Sequence, residues 1–310
     1  MVRGSRRRLP PLLITPLLIV ALAGCDTGGD VATSTSEPFA TTLEVTSTST
    51  STSTTTTSTT TTTTSTTIPP TTTTIPPPLP EIDAQILAPE GTGPFPAVVL
   101  VHGGGWVAGD SSIMRPLAEF LTDEGFLTVN TNYTLSGQEP GFPAAVDDVA
   151  CAVRYAAAHP DSNGTVVVVG HSAGAHLGAI VALNGDDYGG SCRIAGSGIP
   201  DRLVGLAGPY DVARLGLLMY PFFGAGPADD PEAWREGNPL NLVDLNPDLE
   251  SLLMYGEEDG FVEPSFAFDF GDALTGAGSE ALVEGVEGAQ HNDMYLPRIV
   301  GDLIATWLER

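Results

Sequence analysis

An unbroken run of serine and threonine determines where a folded core can lie in this chain. Residues 46–67 are 22 consecutive Ser or Thr side chains, which are too small and too polar to bury apolar surface. The flanking residues, 26–80, are also dominated by Thr, Ser and Pro. A globular domain must therefore lie C-terminal to about residue 80, where about 230 residues suffice for one α/β domain with its own core.

The first 24 residues have the pattern of an export signal. Four arginines, Arg3, Arg6, Arg7 and Arg8, precede an apolar run over residues 10–23, which is too short to cross the hydrocarbon core of a bilayer as a helix. A charged head followed by a short apolar stretch is typical of a secretory signal peptide. The run ends in Leu22-Ala23-Gly24-Cys25, which resembles the bacterial lipobox. An ordinary signal peptide with a chance cysteine is the alternative.

The lipobox resemblance implies how the chain is divided. It predicts cleavage of residues 1–24 and transfer of a diacylglyceryl group to the thiol of Cys25. Residues 25–80 would then be a disordered tether, whose composition is also typical of an O-glycosylated stalk, and residues 81–310 would form the folded domain. We therefore expect an exported protein, anchored by lipid to the bacterial cell envelope, whose folded domain is extracytoplasmic.

The acidic composition excludes one class of partner. The chain has 38 acidic and 12 basic side chains, every basic one an arginine, and a formal net charge of −26. Such a surface repels phosphate backbones, so nucleic-acid binding through charge is excluded.

Short apolar runs alternate with helical patterns in the C-terminal part of the chain. The runs have the continuous apolar character of strands buried on both faces of a parallel sheet. The alternation predicts a three-layer α/β sandwich with a mostly parallel central sheet. A segment that breaks the rhythm, 212–248, is interpreted as an inserted lid or pocket wall. The predicted strands are 97–101, 126–130, 166–169, 203–206, 252–255 and, more weakly, 281–283, and the predicted helices are 143–156, 173–183 and 294–308.

One motif has the form of a nucleophile elbow. Gly170-His171-Ser172-Ala173-Gly174 fits the pattern G-x-S-x-G, in which the serine occupies a tight, strained turn between a strand and a helix. A predicted strand precedes the motif and a predicted helix follows it, and this context favours a nucleophilic role for Ser172. The amino end of that helix directs its dipole and free N–H groups toward a developing oxyanion.

A second motif is rich in glycine. His102-Gly103-Gly104-Gly105-Trp106 follows a predicted strand, and a turn of three glycines allows backbone N–H groups to approach a ligand oxygen closely. The alternatives are a phosphate-binding loop and a plain tight turn. A phosphate-binding loop usually includes a lysine, and the chain contains none.

Together the two motifs resemble the α/β-hydrolase superfamily, specifically its hormone-sensitive-lipase-like and carboxylesterase-type members with a His-Gly-Gly-Gly oxyanion motif. The resemblance covers residues 81–310. It implies Ser172 as the nucleophile, an oxyanion hole formed by the N–H groups of Gly103, Gly104 and Ala173, and an acid and then a histidine later in the chain. It implies no metal and no organic cofactor.

The acid is expected after the strand 252–255. Residues 256–262, Gly-Glu-Glu-Asp-Gly-Phe-Val, resemble the family's Gly-x-x-Asp-x-x-Val loop, which selects Asp259. Glu257 and Glu258 are neighbours that the sequence does not exclude, and Asp211 is a further candidate at the end of the preceding strand.

The histidine is expected near the C-terminus, and of the five in the chain only His291 follows the last predicted strand. We therefore assign the base to His291. Structural positions are predicted for the other four: His102 bracing the glycine loop, His159 at a helix end, His171 beneath the nucleophile and His176 on the elbow helix.

These assignments predict a serine carboxylic-ester hydrolase that acts through an acyl-enzyme. The absence of a long cap before the oxyanion strand favours short acyl groups, on an alcohol or a carbohydrate. Four aromatic side chains are candidates for the site lining, although a core position is the more common one for such residues: Trp106, Tyr133, Tyr210 and Phe222. A serine peptidase, a lipase or an arylformamidase on the same fold is an alternative, as is a non-catalytic surface binding protein.

Two cysteines remain after Cys25. An exported protein meets an oxidising or thiol-poor environment, so Cys151 and Cys192 either form a disulfide or remain as two buried thiols.

Overall fold

The structure, a computed structural model, describes residues 78–137 and 139–310. The predicted export signal, Cys25 and nearly all of the predicted tether lie outside the described residues. Within them, seven strands and seven α-helices alternate along the chain. The strands are β1 Ala84–Leu87, β2 Phe95–Val101, β3 Leu127–Thr131, β4 Ser162–His171, β5 Arg202–Leu206, β6 Glu250–Gly256 and β7 Glu280–Val286. The helices are α1 Arg115–Asp123, α2 Ala144–Ala158, α3 Ala173–Asn184, α4 Tyr220–Phe223, α5 Pro231–Glu236, α6 Ser265–Ala277 and α7 Pro297–Leu308.

The seven strands form one sheet in the order β1-β3-β2-β4-β5-β6-β7. β1 pairs antiparallel with β3, and every other pair is parallel. Because parallel neighbours end at the same edge, the loops that follow β2, β4 and β6 begin on one side of the sheet. Each of the three predicted motifs lies directly after one of these strands.

Helices cover both faces of the sheet, because successive side chains of a strand point to opposite sides. Val99 and Val101 of β2 lie in the core cluster that includes residues of α2, α3 and α6. Val98 and Leu100 of the same strand lie in the second cluster, with residues of α1 and α7. The predicted three-layer sandwich with a mostly parallel sheet is therefore confirmed.

Outside the inserted segment 212–248, three elements were not predicted from the sequence, namely β1, α1 and α6. β1 is a four-residue edge strand whose side chains are all only half-buried, so it lacks the continuous apolar character of a central strand. The last helix begins at Pro297 rather than near residue 294. The missing N–H and fixed φ of proline suit the first turn of a helix, so the chain starts α7 there.

The inserted segment 212–248 packs against the elbow helix and forms part of the wall of the cavity described below. It contains α4, α5 and several short 3₁₀ turns. Trp234 is buried and stacks on Phe223 with ring centroids 4.6 Å apart. The amide of Asn246 donates to the carbonyl of Ala182 in α3 over 2.9 Å. These contacts hold the segment against the domain.

Cys151 and Cys192 form a disulfide, with their Cα atoms 5.6 Å apart. Cys151 lies in α2 and Cys192 in the loop before β5, so the bond joins positions separated by 41 residues. No helix among the described residues is long and apolar enough to cross a membrane.

Replacing both cysteines by serine should destabilise the folded domain. Loss of a native disulfide typically costs about 2–5 kcal/mol, mainly because the unfolded chain gains freedom. Urea unfolding of the double variant and the parent chain measures the difference. A reducing agent should destabilise the parent and leave the variant unchanged, and equal stability of the two oxidised proteins would contradict the expectation.

Candidate active site

The chain turns sharply between β4 and α3, and Ser172 occupies the turn. Its backbone angles are φ 54° and ψ −119°, a conformation that side-chain-bearing residues rarely adopt and that is concentrated at functional sites. The Ser172 N–H donates to the carbonyl of Leu206 over 2.8 Å. The half-buried hydroxyl thus lies at the end of the central strand β4, and its backbone is held by the hydrogen bond to Leu206 of the neighbouring strand β5.

The two glycines of the elbow are required by close backbone packing. A Cβ atom on Gly170 would collide with the carbonyl of Gly174, and one on Gly174 would collide with the carbonyls of Val101 and His102. The start of α3 therefore lies directly against the end of β2. This contact brings the elbow and the glycine loop together.

Three predicted residues meet in one hydrogen-bonded chain. The Ser172 Oγ atom lies 2.9 Å from His291 Nε2, and His291 Nδ1 lies 2.8 Å from Asp259 Oδ2. A carboxylate only accepts hydrogen bonds, so Nδ1 carries the imidazole proton and Nε2 is free to accept the serine proton. The geometry is that of a nucleophile, a base and an orienting acid.

Asp259 is distinguished from the rival carboxylates by its surroundings. Its side chain is buried, whereas Glu257 and Glu258 are exposed. Burial alone would raise the pKa of Asp259, but hydrogen bonds from His291 and from the N–H groups of Val262 and Phe261 more than offset it and hold the pKa below its ordinary value. The carboxylate thus stays ionised beside the imidazole.

Asp211, the remaining candidate acid, makes a hydrogen bond outside the chain that joins Ser172, His291 and Asp259. Asp211 accepts a hydrogen bond from the amide of Asn238 over 3.0 Å. Asn238 also accepts one from the N–H of Val212 over 3.2 Å. Asp211 therefore braces the inserted segment.

His171 supports His291 from below. Its Nε2 lies 3.0 Å from the carbonyl oxygen of His291, and the two rings are 4.9 Å apart. A carbonyl only accepts, so Nε2 of His171 donates. Burial, with a smaller contribution from the nearby His291, lowers the pKa of His171 to about 3, so the ring is neutral. The predicted position beneath the nucleophile agrees with this contact.

The glycine loop lies against the nucleophile. A Cβ atom on Gly103 would lie 2.7 Å from His171 Nδ1 and 3.1 Å from Ser172 Cβ, so only glycine fits. Gly104 has φ +126°, a region that glycine enters without strain. Among the described residues, the N–H groups of Gly103, Gly104 and Ala173 donate to no protein acceptor. They are free to bind an oxygen atom of a ligand.

A buried hydrogen-bonded chain ties the loop to the inserted segment. The indole N–H of Trp106 donates to His176 Nδ1 over 3.1 Å, and His176 Nε2 lies 2.8 Å from the carbonyl oxygen of Gly237. Burial lowers the pKa of His176 to about 4, which keeps it neutral and able to make both bonds. Trp106 itself has φ 64°, so this contact holds a strained residue in place.

His102 braces the start of the loop, as predicted. Its ring is fully buried and stacks on Tyr133 with centroids 4.3 Å apart. Nδ1 lies 2.7 Å from the carbonyl oxygen of Gly103. Burial lowers the pKa of His102, so it contributes shape rather than charge.

A cavity of about 500 Å³ opens beside Ser172 and His291. Its lining combines the glycine loop with residues from five other parts of the chain, and no carboxylate or guanidinium is among them. Such a lining suits an uncharged ligand. The apolar and aromatic members are Trp106, Ile113, Pro209, Leu215, Phe261, Val262 and Tyr295.

The candidates for an aromatic lining are only partly correct. Trp106 lines the cavity, but Tyr133, Tyr210 and Phe222 are buried in the core. Tyr210 stacks on Phe270 at 4.5 Å. Sequence reasoning missed Leu215, Phe261 and Tyr295, although Phe261 lies two residues after the predicted acid and that spacing was a usable signal.

No group of three or more His, Cys, Asp and Glu side chains within the described ranges is arranged to hold a metal ion.

A family profile matches most of the folded domain. The BD-FAE profile aligns with residues 85–274, which is more than half of the chain. The matched stretch contains the glycine loop, the elbow and Asp259, and it ends before His291.

Several curated relatives are named as ester hydrolases. Esterase LipI of Mycobacterium tuberculosis is 32% identical over 215 residues, which are 63% of this chain and 65% of that protein. Carboxylic ester hydrolase LipN of the same organism is 36% identical over 110 residues, 34% of this chain and 29% of that protein. A probable isoprenylcysteine alpha-carbonyl methylesterase of Arabidopsis thaliana, ICMEL1, is 25% identical over 228 residues, 66% and 47% respectively. The chain spans less than two thirds of the length of each.

Solved structures share the α/β-hydrolase fold. A truncated carbohydrate esterase from gut microbiota superposes with a TM-score of 0.64 at 22% identity, covering 72% of this chain and 89% of that one. The esterase Est2 of Thermogutta terrifontis, solved with propionate bound, gives 0.59 at 20% identity, covering 73% and 88%. At these identities the likeness shows the fold alone.

The buried neutral histidines should make the stability depend on pH. The pKa of His171 is lowered to about 3 and that of His176 to about 4, whereas an unfolded histidine titrates near about 6.5. Between these values the folded state binds fewer protons than the unfolded state. The free energy of unfolding should therefore be highest above about pH 6.5 and fall as the pH drops toward about 4, by at most about 1.4 kcal/mol per pH unit for each histidine.

Urea unfolding between about pH 8 and pH 4 measures this slope. His176→Gln keeps a polar group beside Gly237 and removes the titration, so its slope should be shallower than that of the parent chain. Identical slopes in the two proteins would show that His176 is not the source.

Proposed function

This chain belongs to the BD-FAE family, and we propose that it is a serine carboxylic-ester hydrolase that acts on short-chain acyl esters. The observation that carries the proposal is the hydrogen-bonded chain from Asp259 through His291 to Ser172. It ends on a hydroxyl held in a strained turn that lines an open cavity. The names of the curated relatives support ester hydrolysis as the class of reaction.

The first half of the reaction transfers the acyl group to the enzyme. His291 accepts the hydroxyl proton of Ser172 as Oγ attacks the acyl carbonyl, because a serine hydroxyl is a poor nucleophile at its free pKa. Asp259 keeps the imidazole in the tautomer that accepts at Nε2 and stabilises the imidazolium that forms. His291 then gives the proton to the leaving alcohol as the carbon–oxygen bond breaks.

The negative charge that develops on the carbonyl oxygen is held by backbone N–H groups. Those of Gly103, Gly104 and Ala173 are unpaired among the described residues and border Ser172. The loss of one such donor typically raises the barrier by about 3 kcal/mol. In the second half, water activated by His291 attacks the acyl-enzyme and restores Ser172.

Short, uncharged acyl esters fit the surroundings of the nucleophile. The cavity is about 500 Å³ and is lined by apolar side chains without a cationic partner for an anionic substrate. A lipase, a serine peptidase or an arylformamidase would use the same three residues, and a non-catalytic binding protein would need none of them. Hydrolysis of esters with short and long acyl chains separates the proposed esterase from a lipase and from a non-catalytic binding protein.

Exchange of Ser172 for alanine should abolish hydrolysis. We expect residues 81–310 to hydrolyse p-nitrophenyl acetate and butyrate faster than p-nitrophenyl palmitate, and Ser172→Ala to lower kcat by at least about 10⁴-fold because the nucleophile is lost. Asp259→Asn should lower kcat about 10⁴-fold, because the amide favours the wrong imidazole tautomer.

Glu258→Gln is the matched control for the acid, since it removes the adjacent, exposed carboxylate. Its activity should stay within about twofold of the parent chain, as is usual for surface substitutions. A preference for palmitate would indicate a lipase. Equal turnover by the parent and Ser172→Ala, or none by a folded parent, would overturn the proposal.

We further propose that the full chain is a lipoprotein of the bacterial cell envelope, anchored through Cys25. The support is the charged and apolar pattern of residues 1–24 and the lipobox-like Leu22-Ala23-Gly24-Cys25. The anchor would hold the hydrolase outside the cytoplasm, at the end of a Ser/Thr-rich tether.

Cys25→Ser should release the protein from the membrane fraction. The full chain expressed in a bacterial host should incorporate labelled fatty acid and sediment with membranes, because two acyl chains give stable anchoring. Cys25→Ser should neither incorporate the labelled fatty acid nor sediment with membranes. Cys192→Ser, which removes a different cysteine, should still show both properties. Labelling of Cys25→Ser would disprove the assignment.

A further inference from the structure

Phe261 is the most exposed large apolar side chain among the described residues, with 82% of its surface accessible. A single exposed phenylalanine needs no explanation in general. This one, however, lines the cavity that contains Ser172 and His291. Its ring centroid lies 5.6 Å from that of His291, with the two planes inclined by 47°.

The carboxylate of Asp259 holds the backbone from which the Phe261 side chain extends. The N–H of Phe261 donates to Asp259 Oδ1 over 2.8 Å, and the N–H of Val262 donates to the same oxygen over 2.9 Å. The exposed side chain therefore projects from a fixed turn. A rigid aromatic surface of this kind loses little conformational entropy when a ligand covers it.

The other apolar side chains of the cavity are already packed. Tyr295 is half-buried and contacts the His171 ring at 4.9 Å. Trp106 is buried and bonded to His176. Leu215 is half-buried, so Phe261 offers the largest free apolar surface beside the reacting groups.

The position of Phe261 indicates which part of an ester it would contact. In the proposed reaction His291 gives its proton to the leaving oxygen, so the alcohol part of the ester must lie beside His291. The acyl oxygen must instead lie at the N–H groups of Gly103, Gly104 and Ala173. Phe261 lies beside His291, where the alcohol part of the ester would be.

We propose that Phe261 is a specificity-determining residue that stacks on a ring in the leaving alcohol. This inference rests on the proposed ester hydrolysis. It adds the chemical class of the leaving group, an uncharged alcohol that carries a ring with an apolar face. Stacking on an aromatic side chain and burial of its surface both favour such an alcohol over a small acyclic one.

Phe261→Ala tests the proposal with three esters. Benzyl acetate and ethyl acetate differ only in the alcohol, and ethyl butyrate differs from ethyl acetate only in the acyl group. The variant should lower kcat/KM for benzyl acetate about five- to tenfold more than for ethyl acetate, mostly through KM. It should leave the ratio of ethyl butyrate to ethyl acetate as it is in the parent chain.

Phe268→Ala is the matched control. Phe268 is another exposed phenylalanine, 46% accessible, but it lies on α6 against Tyr255 and outside the cavity. Its removal should change neither the ratio of benzyl acetate to ethyl acetate nor the ratio of ethyl butyrate to ethyl acetate. Phe261→Trp, which keeps an aromatic face, should retain the preference for benzyl acetate and serves as the test if the alanine variant does not fold.

Three other outcomes would contradict the stacking role of Phe261 or the proposed ester hydrolysis. Equal losses on benzyl and ethyl acetate would mean that Phe261 acts only on the acid loop and would overturn the stacking role. A changed ratio of butyrate to acetate would place the ring on the acyl side and would also overturn it. A folded parent chain that hydrolyses none of the esters would instead overturn the proposed function, and the stacking role with it.

Discussion

The tight contact between the elbow and the end of β2 is the constraint on which the rest of the site depends. Gly174 lies so close to the carbonyls of Val101 and His102 that a Cβ atom has no room. This approach places the strained Ser172 beside Gly103, and it is possible only because residue 174 is a glycine without a side chain. The strain at Ser172 is sustained because the buried sheet and α3 leave the turn no alternative conformation. The Ser172 hydroxyl is thereby held beside the N–H groups of Gly103, Gly104 and Ala173, which donate to no acceptor in the part of the chain that the structure describes.

Buried neutral histidines surround this contact, and they act through shape and hydrogen bonding rather than charge. His171 supports the backbone of His291, and His176 joins Trp106 of the glycine loop to Gly237 of the inserted segment. Desolvation makes protonation of these rings unfavourable. As a result the inserted segment, the glycine loop and Ser172 are linked through the same buried layer, in which the ionised carboxylate of Asp259 lies beside His291.

Much of the fold could be predicted, and so could the three residues that the structure brings together, Ser172, His291 and Asp259, because most of the signals are local. Strands such as β2 and β4 show their burial in uninterrupted apolar runs, and the elbow shows its turn in Gly170 and Gly174. Prediction failed where the signal was weak or absent. β1 is a half-buried edge strand without a continuous apolar run. Tyr210 and Phe222 were candidates for the cavity lining but are core residues, because residue type alone does not show whether an aromatic ring faces the cavity or the core.

The α/β class and the candidate residues Ser172, Asp259 and His291 could be recognised in the sequence, because the class follows from local apolar runs and the candidates follow from motifs that resemble those of the α/β-hydrolase superfamily. The tertiary structure alone decided which side chains meet. Ser172 and His291 are 119 positions apart and His291 and Asp259 are 32 apart, so their contact depends on how the strands are ordered in the sheet. The same holds for the Cys151–Cys192 bond. Such contacts arise from packing across the whole domain, which no local pattern records.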